Sequence, residues 1–484
     1  MINSPIRNHW IVIIQNIFKS LKELWFFILL VLSNHTKTVI FISIIVFIGV
    51  ILVAVKEWLN TEFYIKDNEL LYKSGVFEHS KQEIPFENIS TIDIGQSLLD
   101  RIFEVCTVKI DSGNVGKGTE FKIKVDYDLA ERLREYILTN KKKHESHETI
   151  EEVSREDFLF EKRITVKEII IYALTKGKLG WALGAYFAVM NFADDVENFT
   201  KTTRVKDILN SISINELLIE NRARLIAIII GMMLFIYIIV TIFSIGYEMI
   251  KFYDFSVKVS TNSFNISYGM LSKKQYSIPI DKIHALKYKQ SILQQLLKIY
   301  TLEVTTIGYG DEKGEKAILY PLANKKFNEE FLIKVLPSMI FSGEVKKPPK
   351  RSLKRFWVKR IVISLLILIP SYFIISVIPI IYKLIVIVLT LLINILLGYL
   401  NYRNTSLGVT EKLILISKGS FTKSTIFIRQ SSVQSIEKSQ NPFQRKDGVC
   451  DYKIDLYSNI LADSIKIRHM SEKNDNKLYG NLIM

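Results

Sequence analysis

KSGVFEHSKQEIPFENISTIDIGQS, residues 73–97, carries a glycine, a proline and a glutamine at a spacing that returns twice further along the chain. Gly75 precedes Pro85 by ten residues, and Pro85 precedes Gln96 by eleven. Two later stretches repeat these marks, with arginine in the proline position of the last one: Gly269, Pro279 and Gln290, then Gly419, Arg429 and Gln440. The chain therefore contains one unit three times, called copies 1, 2 and 3 here.

The residues around the marks predict a small antiparallel β domain in each copy. Runs rich in β-branched and aromatic residues precede the glycine, which supplies a turn. The proline cannot donate a backbone hydrogen bond, so it belongs at a strand end or sheet edge. A short apolar helix, two further strands and a closing helix follow, as in DLAERLREYILTN at residues 128–140. This order predicts an antiparallel β-barrel closed by a C-terminal helix.

The composition favours a membrane protein. Hydrophobic residues make up 49% of the 484 residues and charged residues 23%, a mixture that suits apolar spans alternating with polar domains. The net charge of +15 suits the cytoplasmic side of a membrane, and we expect no nucleic-acid partner. Cys106 and Cys450 both lie ten residues after the glutamine, where copy 2 has Tyr300, which predicts a buried strand position and no disulfide.

Apolar segments predict six transmembrane helices in three hairpins. Four segments are long and uncharged enough to cross a bilayer, namely 38–55, 225–247, 361–382 and 384–400, the last two forming a hairpin around Lys383. Two shorter segments, 25–32 and 179–193, complete the first two pairs. Three pairs place all three copies on one side of the membrane.

Positive charge next to the spans predicts which side that is. Residues 346–360 carry eight basic residues and no acidic one, whereas 191–221, on the opposite face, is mixed to acidic. The copies are therefore expected in the cytoplasm. The basic run is either a topology signal that also touches lipid headgroups or a specific anionic-lipid site. The candidate lipid contacts are Lys346, Lys347, Lys350, Arg351, Lys354 and Arg355.

The tripled spacing of glycine, proline and glutamine between membrane hairpins resembles the bacterial pleckstrin-homology (PH) domain family, and within it the YdbT-like multi-pass proteins. SQNPFQRK (439–446) and IRHM (467–470) resemble the last domain of that family, and TKGKLG (175–180) resembles its entry into the third span. Copy 3 departs from the pattern at Arg429, at NPFQRKD, which lacks an apolar helix face, and at its short ending.

The resemblance implies an α+β membrane protein with about six transmembrane helices alternating with three PH-like barrels. It implies a non-enzymatic protein without a cofactor, whose domains bind membrane lipids or another PH-like membrane protein, with a role in envelope stress or resistance to antimicrobial peptides. The expected organisation is as follows: transmembrane pair 1–62, PH-like domain 63–140, linker 141–164, transmembrane pair 165–250 with extracytoplasmic loop 194–221, PH-like domain 251–345, basic segment 346–360, transmembrane pair 361–403 and PH-like domain 404–484.

Other functions have weaker support. SGNVGKGT (112–119) lacks the order of residues and the following helix of a phosphate-binding loop, and HESH (144–147) lies among charged linker residues. A transporter or export component is the main alternative, but the long spans contain almost no ionisable residues, which such proteins use. A membrane enzyme is a further alternative, for which no supported catalytic set is found.

Overall fold

A computed structural model describes residues 5–24, 36–76, 80–89, 91–111, 120–145, 160–176, 222–260, 263–306, 317–374, 380–456, 464–472 and 478. Within these residues each copy contains a short strand, a pair of helices, four strands, a short helix and two more strands. A closing helix follows in copies 1 and 2.

Copy 1 comprises β1 (Ile6–Arg7), α1 (Ile11–Glu23), α2 (Lys37–Asn60), β2 (Glu62–Lys66), β3 (Glu69–Ser74), β4 (Ser80–Pro85), β5 (Thr91–Gln96), α3 (Leu98–Ile102), β6 (Val105–Asp111), β7 (Glu120–Asp126) and α4 (Tyr127–Glu145). Copy 2 comprises β8 (Phe160–Arg163), α5 (Val166–Thr175), α6 (Arg222–Lys251), β9 (Ser256–Val259), β10 (Ser263–Tyr268), β11 (Lys273–Pro279), β12 (Ile283–Gln290), α7 (Ile292–Leu297), β13 (Tyr300–Thr306), β14 (Ala317–Ala323) and α8 (Lys325–Val335). Copy 3 comprises β15 (Val345–Lys346), α9 (Leu353–Ile374), α10 (Ile380–Asn404), β16 (Ser406–Val409), β17 (Leu413–Lys418), β18 (Lys423–Arg429), β19 (Val433–Ser439), α11 (Pro442–Lys446), β20 (Val449–Leu456) and β21 (Ser464–Ser471).

The sheets are open and pass from one copy to the next, so the expected closed barrels are not formed. The strand orders are β1-β2-β3-β4, β7-β6-β5-β11-β10-β9-β8, β14-β13-β12-β18-β17-β16-β15 and β19-β20-β21. The second sheet of one copy thus continues into the first sheet of the next, through β5–β11 and β12–β18. A neighbouring copy satisfies edge groups that a closed barrel would satisfy within itself.

Each copy nevertheless has its own hydrophobic core between its two sheets. Copy 1 buries residues of both sheets, such as Phe63 and Val108, together with Leu133 of the closing helix α4. Copy 2 does the same with Phe331 of α8. In copy 3 Leu478 contributes to the core, but the residues around it lie outside the described part of the chain. The structure is therefore a row of three sandwiches joined edge to edge.

The repeated marks have structural roles. Gly75, Gly269 and Gly419 have φ between 113° and 127°, a conformation that side chains rarely adopt. A Cβ atom at Gly269 would lie 2.0 Å from the carbonyl oxygen of Ser272, so the turn requires glycine. Pro85 and Pro279 end β4 and β11. Arg429 ends β18 in the same way and donates hydrogen bonds to the carbonyls of Ile280 and Asp281 in copy 2.

The glutamine of each copy makes one and the same hydrogen bond. Its amide donates to the backbone carbonyl nine residues further on, at 2.9–3.0 Å, and the pairs are Gln96–Val105, Gln290–Ile299 and Gln440–Val449. The bond fixes the strand that follows the short helix. Cys106 and Cys450, one residue later, are free and fully buried, as predicted. Burial raises the pKa of the Cys106 thiol to about 12.

The helix pairs α1/α2, α5/α6 and α9/α10 pack within each copy, between its first and second strands. Among the described residues, two segments are long and apolar enough to cross a membrane, Phe41–Asn60 and Lys383–Asn404. The hairpin expected around Lys383 is wrong in position, because α10 begins at Ile380 and Lys383 lies inside it, donating to the carbonyl of Tyr372. The predicted spans 25–32 and 179–193 lie outside the described residues, as does loop 194–221.

Candidate functional site

The short helices α3, α7 and α11 all begin with a capping box that directly follows the repeated glutamine. In copy 1 the Ser97 hydroxyl accepts from the Asp100 backbone while the Asp100 carboxylate accepts from the Ser97 backbone. The corresponding pairs are Ser291–Gln294 and Asn441–Gln444. This S/N-x-x-D/Q signature is visible in the sequence and could have placed the third short helix, which lacks the apolar pattern.

Each capped helix contacts the first helix of its own helix pair, but with different chemistry. In copy 1 the Gln15 amide of α1 donates to Asp100 Oδ1 at 3.1 Å. In copy 2 the Ser291 hydroxyl donates to the carbonyl of Thr175, at the end of α5. In copy 3 Arg355 Nε of α9 donates to Asp447 Oδ2 at 2.9 Å, directly after α11. The junction between domain and helix pair is thus the place where the copies diverge.

The junction of copy 1 is closed by a buried ion pair. Lys124 Nζ lies 2.6 Å from Asp100 Oδ1, and the two side chains are only 9% and 4% exposed. Lys124 also donates to Gln15 Oε1 at 2.7 Å. Burial alone would raise the pKa of Asp100, but hydrogen bonds from Lys124 and Ser97 outweigh it and lower that pKa. The side chains of Lys124, Asp100 and Gln15 therefore hydrogen-bond to one another.

The strand pairing shows which residues replace this ion pair in the other copies. Val125 lies opposite Cys106 in copy 1 and Met470 lies opposite Cys450 in copy 3, so His469 occupies the Lys124 position. In copy 2 the same position holds the buried Leu322. The Asp100 position is a neutral glutamine in both, and in copy 3 this Gln444 donates through Nε2 to Asp451 Oδ1 at 2.6 Å.

The junction of copy 3 opens into a cavity of about 890 Å³ between the start of α9, α11 and β21. Seven basic side chains line it, against two acidic ones. The basic residues are Lys354, Arg355, Lys359, Arg360, Lys446, Lys466 and Arg468, and the acidic ones are Asp447 and Asp451. The cavity therefore has an excess of positive charge at the point where the chain enters its last helix pair.

Two of the seven cations have a carboxylate close by, since Arg355 pairs with Asp447 and Lys466 Nζ lies 3.9 Å from Asp451 Oδ2. Arg360 donates to the Ser420 hydroxyl at 3.0 Å. Among the described residues, four form no hydrogen bond or ion pair through their side chains, and these are Lys354, Lys359, Lys446 and Arg468. Cations without an ion-pair partner give the cavity a positive potential, which attracts anions.

His469 sits at the inner wall of the cavity in an unusual backbone conformation, with φ of 58°. Its backbone N–H donates to Asp451 Oδ1 at 2.9 Å, and its ring lies edge-on to Phe356 with centroids 5.0 Å apart. Burial lowers the pKa of His469, and the neighbouring Arg355 and Arg468 add to this against the opposing effect of Asp451. The ring therefore favours its neutral form.

Exposed apolar side chains border the same junctions. Phe443 of α11 is 74% exposed and lines the copy 3 cavity together with Val358 and Ile363 of α9. In copies 1 and 2 the capped helices also expose apolar residues, namely Leu98, Leu99, Ile102, Ile292, Leu293, Leu296 and Leu297. The sequence pattern predicted these helices, but not that their apolar faces would be uncovered. Such faces next to apolar spans suit the interface of a bilayer.

Of the six residues predicted to contact anionic lipid, Lys354 and Arg355 line the cavity, and Arg355 is held by Asp447. The other four lie outside its lining: Lys346, Lys347, Lys350 and Arg351. Sequence reasoning missed Lys446, Lys466 and Arg468, which lie about a hundred residues further on. SGNVGKGT and the second half of HESH lie outside the described residues, and no cluster of three metal-binding side chains occurs within the described ones.

The family model described as Bacterial PH domain matches the chain three times, over residues 24–141, 208–333 and 363–483. The chain therefore belongs to the bacterial PH domain family, and it is YdbT-like within it. It is 26% identical, over 98% of its own length and 97% of the relative's, to the UPF0699 transmembrane protein YdbT of Bacillus subtilis (strain 168). The chain is accordingly a transmembrane protein that carries three PH-type modules.

Proposed function

We propose that this protein spans the bacterial cytoplasmic membrane with six helices, holds its three PH-like modules on the cytoplasmic side, and binds an anionic lipid headgroup in the copy 3 cavity. The observation that carries the proposal is the combination of four unpaired cations with an apolar rim on α9. An anionic lipid matches both features, because its phosphate needs cations and its chains need apolar surface.

The energetics favour a lipid. A lysine or arginine near an anionic membrane surface gains about 1 kcal/mol. Four such residues around one cavity can therefore bind a headgroup without a dedicated phosphate loop. Arg355 and Asp447 contribute by fixing the wall, since their ion pair ties α11 to α9. The role is binding and not catalysis, and the biological setting we propose is envelope stress or resistance to membrane-active peptides.

Transport or export remains the second candidate, and Glu248 is the observation closest to it. This carboxylate lies on α6, is 1% exposed and pairs with Lys176 Nζ at 2.7 Å. The pair ties α6 to the residue after α5, however, and lies at the domain end of the helix. It lies at the junction of copy 2, as Lys124 and Asp100 lie at that of copy 1, but Lys176 is 38% exposed whereas both partners of the copy 1 pair are buried.

Lipid co-purification with matched variants tests the binding site. The triple variant K359Q/K446Q/R468Q removes three unpaired cations of the cavity, while K346Q/K347Q/K350Q removes three cations of the same region outside it. At about 1 kcal/mol each, every cavity cation lost lowers anionic-lipid affinity about fivefold. Native mass spectrometry of the purified protein should show bound anionic lipid lost from the first variant and kept by the second. Equal loss of lipid from both variants would show that the basic residues only attract anionic lipid in general, without a specific site.

Labelling of single cysteines tests the orientation. With N114C, between β6 and β7 in the sequence, we expect no reaction with an impermeant maleimide in intact cells and full reaction after permeabilisation. S211C, in the proposed extracytoplasmic loop, should react in intact cells. The native Cys106 and Cys450 are buried and stay silent. Reaction of N114C in intact cells would contradict the proposed topology, but it would not bear on the proposal of a lipid site.

A further inference from the structure

Two strands, β4 and β19, have fewer pairing partners than their counterparts in the other copies. β11 and β18 pair on both sides, as do β5 and β12. β4, the counterpart of β11 and β18, pairs only with β3, and β19, the counterpart of β5 and β12, pairs only with β20, as far as the described residues show. Within the described residues, copy 1 thus has an open sheet edge at β4, and copy 3, at the other end of the row, has an open sheet edge at β19.

The two internal junctions obey one register rule. Gly95, just before the glutamine of copy 1, lies opposite Lys274, five residues after the glycine of copy 2. Lys289, just before the glutamine of copy 2, lies opposite Ser424, five residues after the glycine of copy 3. The corresponding residues at the open ends are Ser439 on β19 and Ser80 on β4. The rule therefore specifies a third junction in advance.

We propose that β19 of one chain pairs with β4 of a second copy of the same chain, antiparallel and with Ser439 opposite Ser80. The second copy is the occupant because each chain already carries both halves of an interface that it forms twice within itself. Main-chain hydrogen bonds supply the affinity, as in other strand additions. Because the contact is head-to-tail, it generates a closed ring or a chain of copies.

The side chains at the open edges are compatible with this pairing. The register places Glu437 opposite Gln82, Ile436 opposite Glu83 and Lys438 opposite Lys81. Each lysine has a carboxylate of its own copy nearby, since Lys81 Nζ lies 2.5 Å from Glu83 Oε1 on β4 and Lys438 Nζ lies 3.1 Å from Glu472 Oε1, directly after β21. The like charges are therefore compensated within each edge before the edges meet.

Crosslinking between two differently tagged chains tests the proposal. One chain carries S80C and the other S439C, and the co-expressed, purified protein is treated with a short bis-maleimide. Neither chain alone holds both new cysteines, so a product with both tags requires an intermolecular contact. As a positive control, G95C/K274C places the same pair at the internal junction, where a side chain at Gly95 meets no atom within 4 Å. As a negative control, S464C is used in place of S439C. Ser464 lies on β21, and the counterparts of β21 in the other copies, β7 and β14, end their sheets and, within the described part of the chain, pair with no neighbouring copy.

We expect the S80C–S439C product to exceed the S80C–S464C product at least tenfold. Absence of that product while the internal control links would overturn the proposal, as would a double S80C/S439C chain that links only within itself. Charge exchange gives an independent measurement by mass in detergent. S80E/S439E should reduce the assembly to single chains, and S80E/S439K should restore it. Single-chain mass for the unaltered protein would equally overturn it.

Discussion

Copy 1 and copy 3 place the same short helix against the same kind of membrane helix, yet one junction is closed and the other is open. In copy 1 Lys124 and Asp100 satisfy each other and Gln15 completes the set. In copy 3 His469 and Gln444 take the equivalent positions, and seven basic side chains surround a cavity. The backbone arrangement is shared, so the difference lies in a few side chains.

The comparison separates scaffold from function. The glycine turn, the glutamine hydrogen bond and the capping box recur in all three copies and hold the short helix in place. On this shared scaffold, the buried ion pair of copy 1 joins the short helix to the helix pair. Copy 3 lacks that ion pair, and, among the described residues, cations of its cavity are free to contact a ligand. Copy 1 therefore anchors its helix pair, and copy 3 is the copy for which we propose a binding site.

The variant D100N should have the largest effect, because it leaves Lys124 charged, buried and without its carboxylate. Removal of one partner of a buried ion pair costs about 3–5 kcal/mol. The thermal unfolding midpoint of the detergent-solubilised protein should fall by several degrees. As a control, E329Q removes an exposed partner of Lys325 on α8, which should cost less than about 1 kcal/mol.

The double variant D100Q/K124H sharpens the same comparison, because it gives copy 1 the glutamine and histidine that copy 3 has at these two positions. It removes both charges at once, so the unfolding midpoint should recover most of what D100N loses. If D100N and E329Q lower the unfolding midpoint equally, the buried ion pair does not stabilise the junction of copy 1.

The variants Q96A and Q440A should have intermediate and equal effects. Each leaves a buried backbone carbonyl, of Val105 or Val449, without its donor, at a cost of about 1–3 kcal/mol. Hydrogen exchange of β6 and β20 should rise to the same extent in the two variants. Unequal effects would show that the scaffold is not shared, and the contrast between the junctions would then have another cause.

The sequence predicted the scaffold better than the site, for a physical reason. The marks Gly75 and Gln96 and the buried Cys106 follow from local turn geometry and strand alternation, which a single copy encodes. The pairing of β5 with β11 joins strands nearly two hundred residues apart, and no local pattern sets it. The cavity likewise needs Lys446 and Arg468 beside α9, which only the folded sheet of copy 3 brings about.

A shift to mildly acidic pH should loosen copy 3 before copy 1, the smallest of the expected effects. The pKa of His469 is lowered in the folded protein, so its contribution to stability is present above the unfolded value of about 6.5 and is lost as pH falls below it. The pKa of Asp100 is lowered as well, but its contribution is lost only below the unfolded value of about 3.9. Between about pH 5 and 6.5 the two junctions should therefore behave differently.

One proton taken up on unfolding changes the free energy of unfolding by at most about 1.4 kcal/mol per pH unit. Hydrogen exchange, corrected for its intrinsic pH dependence, should show β21 losing protection from pH 7 to pH 5 while β7 keeps it. The variant H469Q should abolish the difference, since glutamine does not titrate, whereas His284, half-buried between copies 2 and 3, is unchanged in that variant. If β21 loses protection to the same extent in H469Q, another group controls the junction, and His469 only fills the space that Lys124 fills in copy 1.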